Sequence, residues 1–534
     1  MSGEEGRLLA REWIASAAVA AFLASVLIWL GPPGVDFAAH AYQRSFLLQH
    51  GFAIWNNFWY AGRYSFVTYS FIYYPLAALI GIKLLAVLSI GVAVLAFTLL
   101  VWREWGPSAR YSSRALAILW PGVVLSAAFP FALGAMFALL SLLSLQRGHR
   151  RVFAALLFLT LLASPLALLI VVLVLAGCAL EGRPRRATVA VIAAAVGCEI
   201  VLRRLFPEQG QFPFSVADLV PALLFGILGI ALTVRVPGAR RLFGLFAVFL
   251  GATMVAFLIP SDLGANVERL KYMAIPLALL AATVTRRRVL LAAALVSVAG
   301  FWNISALAHT ARAAGADPAR TETYWAPAIR YLRAHLSPSF RVEAVDTIEH
   351  WPAAYLPDAG IPIVRGWYRQ NDFPQNELLY DRSLAARTYQ SWLRGLGVRY
   401  VVLTDAPPDY SSGAEAHLVR SGHSGLVKVF HSAHVDVYQV PKASPIVTGI
   451  GDSTVMWMEP TRLVFSVTQP GRYRVKVRWS PYWQTTGGCV WRGKDGTVRV
   501  KAAQAGMIAL SVGVDLARGL EALTGLTPQR TCSS

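Results

Sequence analysis

The chain has 534 residues, 56% of them hydrophobic and only 15% charged, with a formal net charge of +20. That much apolar surface needs lipid, which excludes a wholly water-soluble globule. The basic surplus is mostly Arg set between apolar stretches, the placement that orients helices against a cytoplasmic leaflet, so a nucleic-acid partner is not expected.

Apolar stretches fill roughly residues 13 to 306 and then give way to mixed sequence. A polytopic α-helical membrane domain with about eleven spans is predicted, near 13–31, 82–102, 115–129, 131–146, 152–163, 164–181, 187–204, 215–233, 242–259, 269–285 and 288–306. Several are short, and Pro130 and Pro165 break two pairs, so hairpins or kinked helices are open alternatives there. The stretch Trp13 to Leu30 lacks a small-residue cleavage site before Gly31-Pro32-Pro33 and reads as a retained first helix. Basic clusters fall on alternate loops: Arg7 and Arg11; Arg103, Arg110 and Arg114; Arg147, Arg150 and Arg151; Arg183, Arg185 and Arg186; Arg235, Arg240 and Arg241; Arg286, Arg287 and Arg288. The positive-inside rule makes those loops and the N-terminus cytoplasmic, and everything after about residue 307 extracytoplasmic. The expected division is a membrane domain over 1–309 with a long first outer loop, 32–82, then soluble domains over 310–441 and 442–534.

The first outer loop carries Trp55, Trp59, Tyr60, Tyr64, Tyr69, Tyr73 and Tyr74, and its segment 38–50 can form a helix at the membrane surface. Within 310–441, helices near 325–335 and 383–396 alternate with strands near 341–346, 361–364, 399–404, 426–431 and 435–440, the pattern of a small α/β domain. After Pro445 the runs 462–467, 471–479, 497–502 and 507–512 alternate apolar and polar residues, which points to a β-sandwich-like module. Cys489 and Cys532 lie in this part, and an oxidising compartment would allow them to form a disulfide; two unrelated thiols is the other reading.

Directly after the first span, Asp36 and His40 stand four residues apart, one turn of a helix. A carboxylate at the lipid boundary beneath aromatic residues can serve as a general base on a sugar hydroxyl or hold a divalent metal ion, the one cofactor such a site suggests. Asp is equally a favoured helix N-cap, which needs no chemistry. Downstream come Trp59-Tyr60-Ala61-Gly62-Arg63 and Tyr73-Tyr74-Pro75-Leu76, then Asn266-Val267-Glu268-Arg269-Leu270-Lys271-Tyr272 with Ile275-Pro276-Leu277. This order resembles the GT-C superfamily of integral membrane glycosyltransferases, in particular bacterial members that use a sugar on a polyprenyl phosphate.

The resemblance implies a catalytic acid in the first outer loop, here Asp36 with His40 beside it, and a glycan, lipid or protein acceptor approaching from the outer face of a bacterial cytoplasmic membrane. Arg269 and Lys271, with Arg63, would bind the donor phosphate and stabilise it as it leaves, although single basic residues at such positions also snorkel to headgroups. Trp59, Tyr60 and Asp262 would neighbour the substrates, and Asp262 could pair with Asp36. Glu199, inside a span, has both a functional reading and a pairing with Arg203. In the soluble half, Trp367, Tyr368, Arg369 and Asp372 have the chemistry to stack on and hydrogen-bond to an acceptor sugar, or to form a packed loop. A transporter or export component, or a scaffold that binds lipid-linked glycans, fits the same residues.

Overall fold

The computed structural model describes residues 3–182, 184–208, 210–285 and 288–524. The chain divides into two compact units, the first comprising Met1–Val35, Tyr69–Ile200 and Gln211–Gly315, the second Asp36–Thr68, Val201–Gly210 and Ala316–Ser534. The first outer loop is therefore split: its segment from Asp36 to Thr68 belongs with the C-terminal part of the chain.

The first unit is helical. Among the described residues, six helical segments are long and apolar enough to cross a membrane: Gly6–Leu30, Ile82–Ser126, Phe129–Gln146, Val216–Thr233, Pro237–Leu258 and Val289–Ala313. The protein is a multi-pass membrane protein; among the described residues not every expected span is matched by a separate helix of full length. The expected spans 82–102 and 115–129 belong to one helical run, interrupted by a tight turn of 3-10 helix at Gly106–Ala109. The helices Arg150–Ala163 and Pro165–Ala179 hold 14 and 15 residues, about 21 to 23 Å each, short of a hydrocarbon core of about 30 Å. They are separate because Ser164 is extended and accepts the N–H of Ala167, capping the second helix as Pro165 takes its first position. The expected span 269–285 is likewise broken, into a 3-10 segment Gly264–Met273 and the helix Ala274–Thr285. Gly177 and Gly244 let two helices touch backbone to backbone: a Cβ on Gly177 would lie 2.7 Å from the Gly244 carbonyl carbon.

In the second unit, the helix expected over 38–50 forms as Phe37–His50. It leads into a two-stranded antiparallel ribbon, Trp55–Asn56 against Arg63–Tyr64. A four-stranded sheet runs in the order Arg341–Ala344, Val398–Thr404, Val435–Gln439, Val427–His431, with the first pair parallel and the others antiparallel. The strand expected over 361–364 is reduced to a single parallel bridge between Val342 and Ile363, made by the Val342 N–H to the Pro362 carbonyl and the Val364 N–H to the Val342 carbonyl, both at 3.0 Å; on its other edge the Ile363 N–H donates to the Phe58 carbonyl at 2.9 Å. The C-terminal β-module has two four-stranded antiparallel sheets. Its expected strands appear as Arg462–Val467, Gly471–Arg478, Thr497–Ala502 and Gly506–Val512, joined by Val447–Gly449, Ser453–Met458, Trp483–Thr485 and Gly488–Arg492, which the alternation did not mark. Cys489 lies on the strand Gly488–Arg492, whereas Cys532 is outside the described residues.

Candidate functional site

Asp36 occupies the N-cap position of the helix Phe37–His50, yet its side chain makes no capping hydrogen bond. Instead Oδ1 accepts the indole N–H of Trp367 at 2.5 Å, across 331 residues of sequence. His40, one turn on and fully buried, meets the same indole edge-to-face with ring centroids 5.4 Å apart. The acid-x-x-x-His pair and the aromatic residue singled out in the C-terminal half thus form one cluster. The indole N–H donates to the carboxyl oxygen and so orients Asp36.

The loop that follows packs around this cluster in strained backbone. Tyr60 and Ala61 both have positive φ, 56° and 54°, and Gly62 follows at 110°; two successive non-glycine residues in the left-handed region are costly unless their surroundings hold them. Here the hydroxyl of Tyr60 donates to the Gly366 carbonyl at 2.9 Å, and the Trp59 indole donates to the Ala353 carbonyl at 2.9 Å. Gly366 must lack a side chain, since a Cβ would come within 2.7 Å of the Trp59 ring. Arg63 is buried, paired with Glu208 at 2.9 Å, and its guanidinium lies 3.4 Å over the ring of Tyr368.

Arg369 and Asp372, expected among acceptor contacts, are instead enclosed in a buried ionic network. Arg369 bonds Asp346, Asp409 at 3.1 Å and the Gly366 carbonyl at 2.9 Å. Asp372 accepts two bonds from Arg365, at 3.2 and 2.7 Å, and one each from Asn376 and Tyr380. Burial pushes its carboxyl up, but Arg365, Arg369 and Asn376 together outweigh this and hold it below the usual carboxylate range. Nothing local marked these partners, although Asp346 and His350 repeat the acid-x-x-x-His spacing of Asp36 and His40.

Asp346, His350 and Asp409 could each offer a metal-ligand atom within 4.8 Å of one another. The Arg369 guanidinium already bonds Asp346 and Asp409 and lies 2.8 Å from His350 Nδ1. A resident cation fills the position a metal ion would need, so this group does not fit a metal.

In the first unit, Arg269 sits on the 3-10 segment Gly264–Met273, its guanidinium 5.5 Å from the ring centre of Phe131. Asn303 donates to the Lys271 carbonyl at 2.6 Å and Tyr272 to the Ser126 hydroxyl at 3.1 Å, which anchor the segment. Arg269 lines a mostly apolar cavity of about 710 Å³ that also reaches Gln146, Arg103 and Arg241. From Phe131 to Gln146 along one helix is about 22 Å, so the cavity is long, with Arg269 near one end and Arg103 and Arg241 near the other. Asp262 is exposed in the loop just before this segment, and Glu199 lies on the helix Arg186–Leu205.

No family model and no curated sequence matches the chain. Solved structures do resemble it. Two cryo-EM structures of a mutant arabinofuranosyltransferase AftD from Mycobacteria align over 94% of this chain at 14% and 15% identity, with TM-scores of 0.46 and 0.48. The chain spans only about 60% of the length of those proteins. The crystal structure of apo ArnT from Cupriavidus metallidurans aligns over 82% of this chain and 98% of its own, at 16% identity and a TM-score of 0.36.

Proposed function

We propose that this protein is a membrane glycosyltransferase of the GT-C type, which moves a sugar from a polyprenyl-phosphate donor to an extracytoplasmic glycan, lipid or protein acceptor. The observation that carries the reading is the hydrogen bond from Trp367 to Asp36: it supports Asp36 as a base oriented by a side chain from the opposite end of the sequence.

In this mechanism Asp36 takes the proton of the acceptor hydroxyl as its oxygen attacks the anomeric carbon, while the bond from that carbon to the donor phosphate breaks. Trp367 and His40 hold the carboxylate in position. In the first unit, Arg269 and Lys271 are assigned to the donor phosphate, whose charge rises as it leaves. The long apolar cavity lined by Arg269 suits an isoprenoid tail attached to an anionic head. Arg63 lines a separate cavity within the second unit and is given no role toward the donor. No step is routed through a metal.

The test is sugar transfer in detergent or nanodiscs from polyprenyl-phosphate sugars, comparing wild type with Asp36→Ala and Arg269→Ala. Loss of turnover in both, with folding intact, is expected. Undiminished turnover in Asp36→Ala would remove it as the base. Binding of lipid-linked sugars without turnover by the wild type would favour a scaffold or export role.

A further inference from the structure

A second cavity, of about 450 Å³, lies within the second unit and is lined by residues that have no part in the proposed transfer chemistry. Six basic side chains face it: Arg63, Arg204, Arg474, Lys476, Arg478 and Arg492. Three carboxylates share the lining, Glu208, Asp495 and Glu521. Two of these are already engaged, Glu208 by Arg63 and Asp495 by both Arg474 and Arg499. The cavity therefore keeps an excess of positive charge.

Its cations are also incompletely bonded. Arg63 is 4% exposed, and among the described residues its Nε and Nη1 find no acceptor; Nε of Arg474 is in the same condition. Buried donors without partners are rare, and an anion that binds there is the simplest reason for them to persist. Lys476 differs: it donates to the Arg394 carbonyl and to the carbonyl and hydroxyl of Ser444, so it forms wall rather than contact. The lining also holds indole rings, those of half-buried Trp392 and Trp479 among them. Indole faces beside forked guanidinium donors suit a sugar ring bearing a negative group.

We propose that this cavity is a binding site for an anionic saccharide, its carboxylate or phosphate held by Arg63 and Arg474 and its ring lying against Trp479. The site stands independently of the transfer reading, since it would bind glycan whether or not Asp36 is a base.

Isothermal titration of the full chain in detergent tests this with three probes: trigalacturonate, glucose 6-phosphate and neutral maltotriose. At least one anionic probe should bind about tenfold more tightly than maltotriose, and its affinity should fall with added salt. Tight binding of trigalacturonate alone identifies a carboxylate ligand, and of glucose 6-phosphate alone a phosphate ester; either supports the site. Arg204→Glu and Arg492→Glu change exposed residues without disturbing the buried framework and should each weaken the anionic probe about tenfold or more. Equal affinity for maltotriose, no binding of either anion, or unchanged affinity in both variants would overturn the proposal.

Discussion

Asp36 and Asp372 sit in one unit, on segments linked through Trp367 and Arg369, and both have the chemistry of a catalytic acid. Their surroundings differ sharply. Asp372 is fully buried and accepts hydrogen bonds from Arg365, Asn376 and Tyr380, so a substrate hydroxyl would have to displace a saturated set of donors. Asp36 is half-buried and oriented by an indole, a neutral donor. Burial and the charge of the donors thus separate the two: Asp372 is enclosed against a guanidinium, whereas Asp36 is partly open to solvent against a neutral indole.

Substitutions at the two positions should fail in opposite ways. Asp36→Asn should lower the rate of transfer by about 10²- to 10⁴-fold, as loss of a general base does, while thermal unfolding stays close to wild type. Asp372→Asn should instead destabilise the fold by about 3–5 kcal/mol, because it leaves Arg365 buried beside a neutral partner. Activity and unfolding measured on the same preparations decide the matter; an Asp36→Asn protein that unfolds, or an Asp372→Asn protein that is stable but inactive, would reverse the assignment. A smaller effect is expected from Trp367→Phe, which keeps most of the ring and removes the N–H. A hydrogen bond to a charged group contributes about 1.5–3 kcal/mol, so kcat should fall about tenfold or more with KM little changed. A change confined to KM would make Trp367 a substrate contact only.

Local pattern carried some of this into the sequence. Strict alternation marks the strand Thr497–Ala502 at its observed ends, because one buried face imposes a period of two; Arg462–Val467 is also found at its expected ends, although three successive residues in it are buried. The helix after Asp36 and its spacing to His40 were equally legible. Legibility stopped where a role depends on a distant partner. Arg63 reads as a phosphate ligand until Glu208 is beside it, and Arg369 as a sugar contact until Asp346 and Asp409 surround it. The segment around 361–364 has a strand's composition, but it bridges to the sheet at Val342 alone and its other edge meets the Phe58 carbonyl. Periodicity reports which face is buried and is silent on which atoms meet there.

A third carboxylate offers the finest test, because it shares the indole contact of Asp36 but not its exposure. Glu349 Oε2 accepts the N–H of Trp351 at 2.7 Å in a side chain that is almost fully buried. Burial pushes its carboxyl up to about 8; the Trp351 bond, Arg320 and His350 pull the other way, while Asp317 adds to the rise. An unfolded chain ionises this group from about pH 4.5, whereas the folded protein keeps the proton until about pH 8. The folded state therefore binds more protons across that window, and its stability falls as pH rises through it, then levels off. Glu349→Gln keeps an acceptor for Trp351 and removes the titration. Its melting temperature should match wild type near pH 4 and exceed it at pH 8.5, by an amount corresponding to about 1–3 kcal/mol. An offset that is the same at both pH values would show that Glu349 is ionised in the fold, and that an indole bond suffices to keep even a buried carboxylate charged.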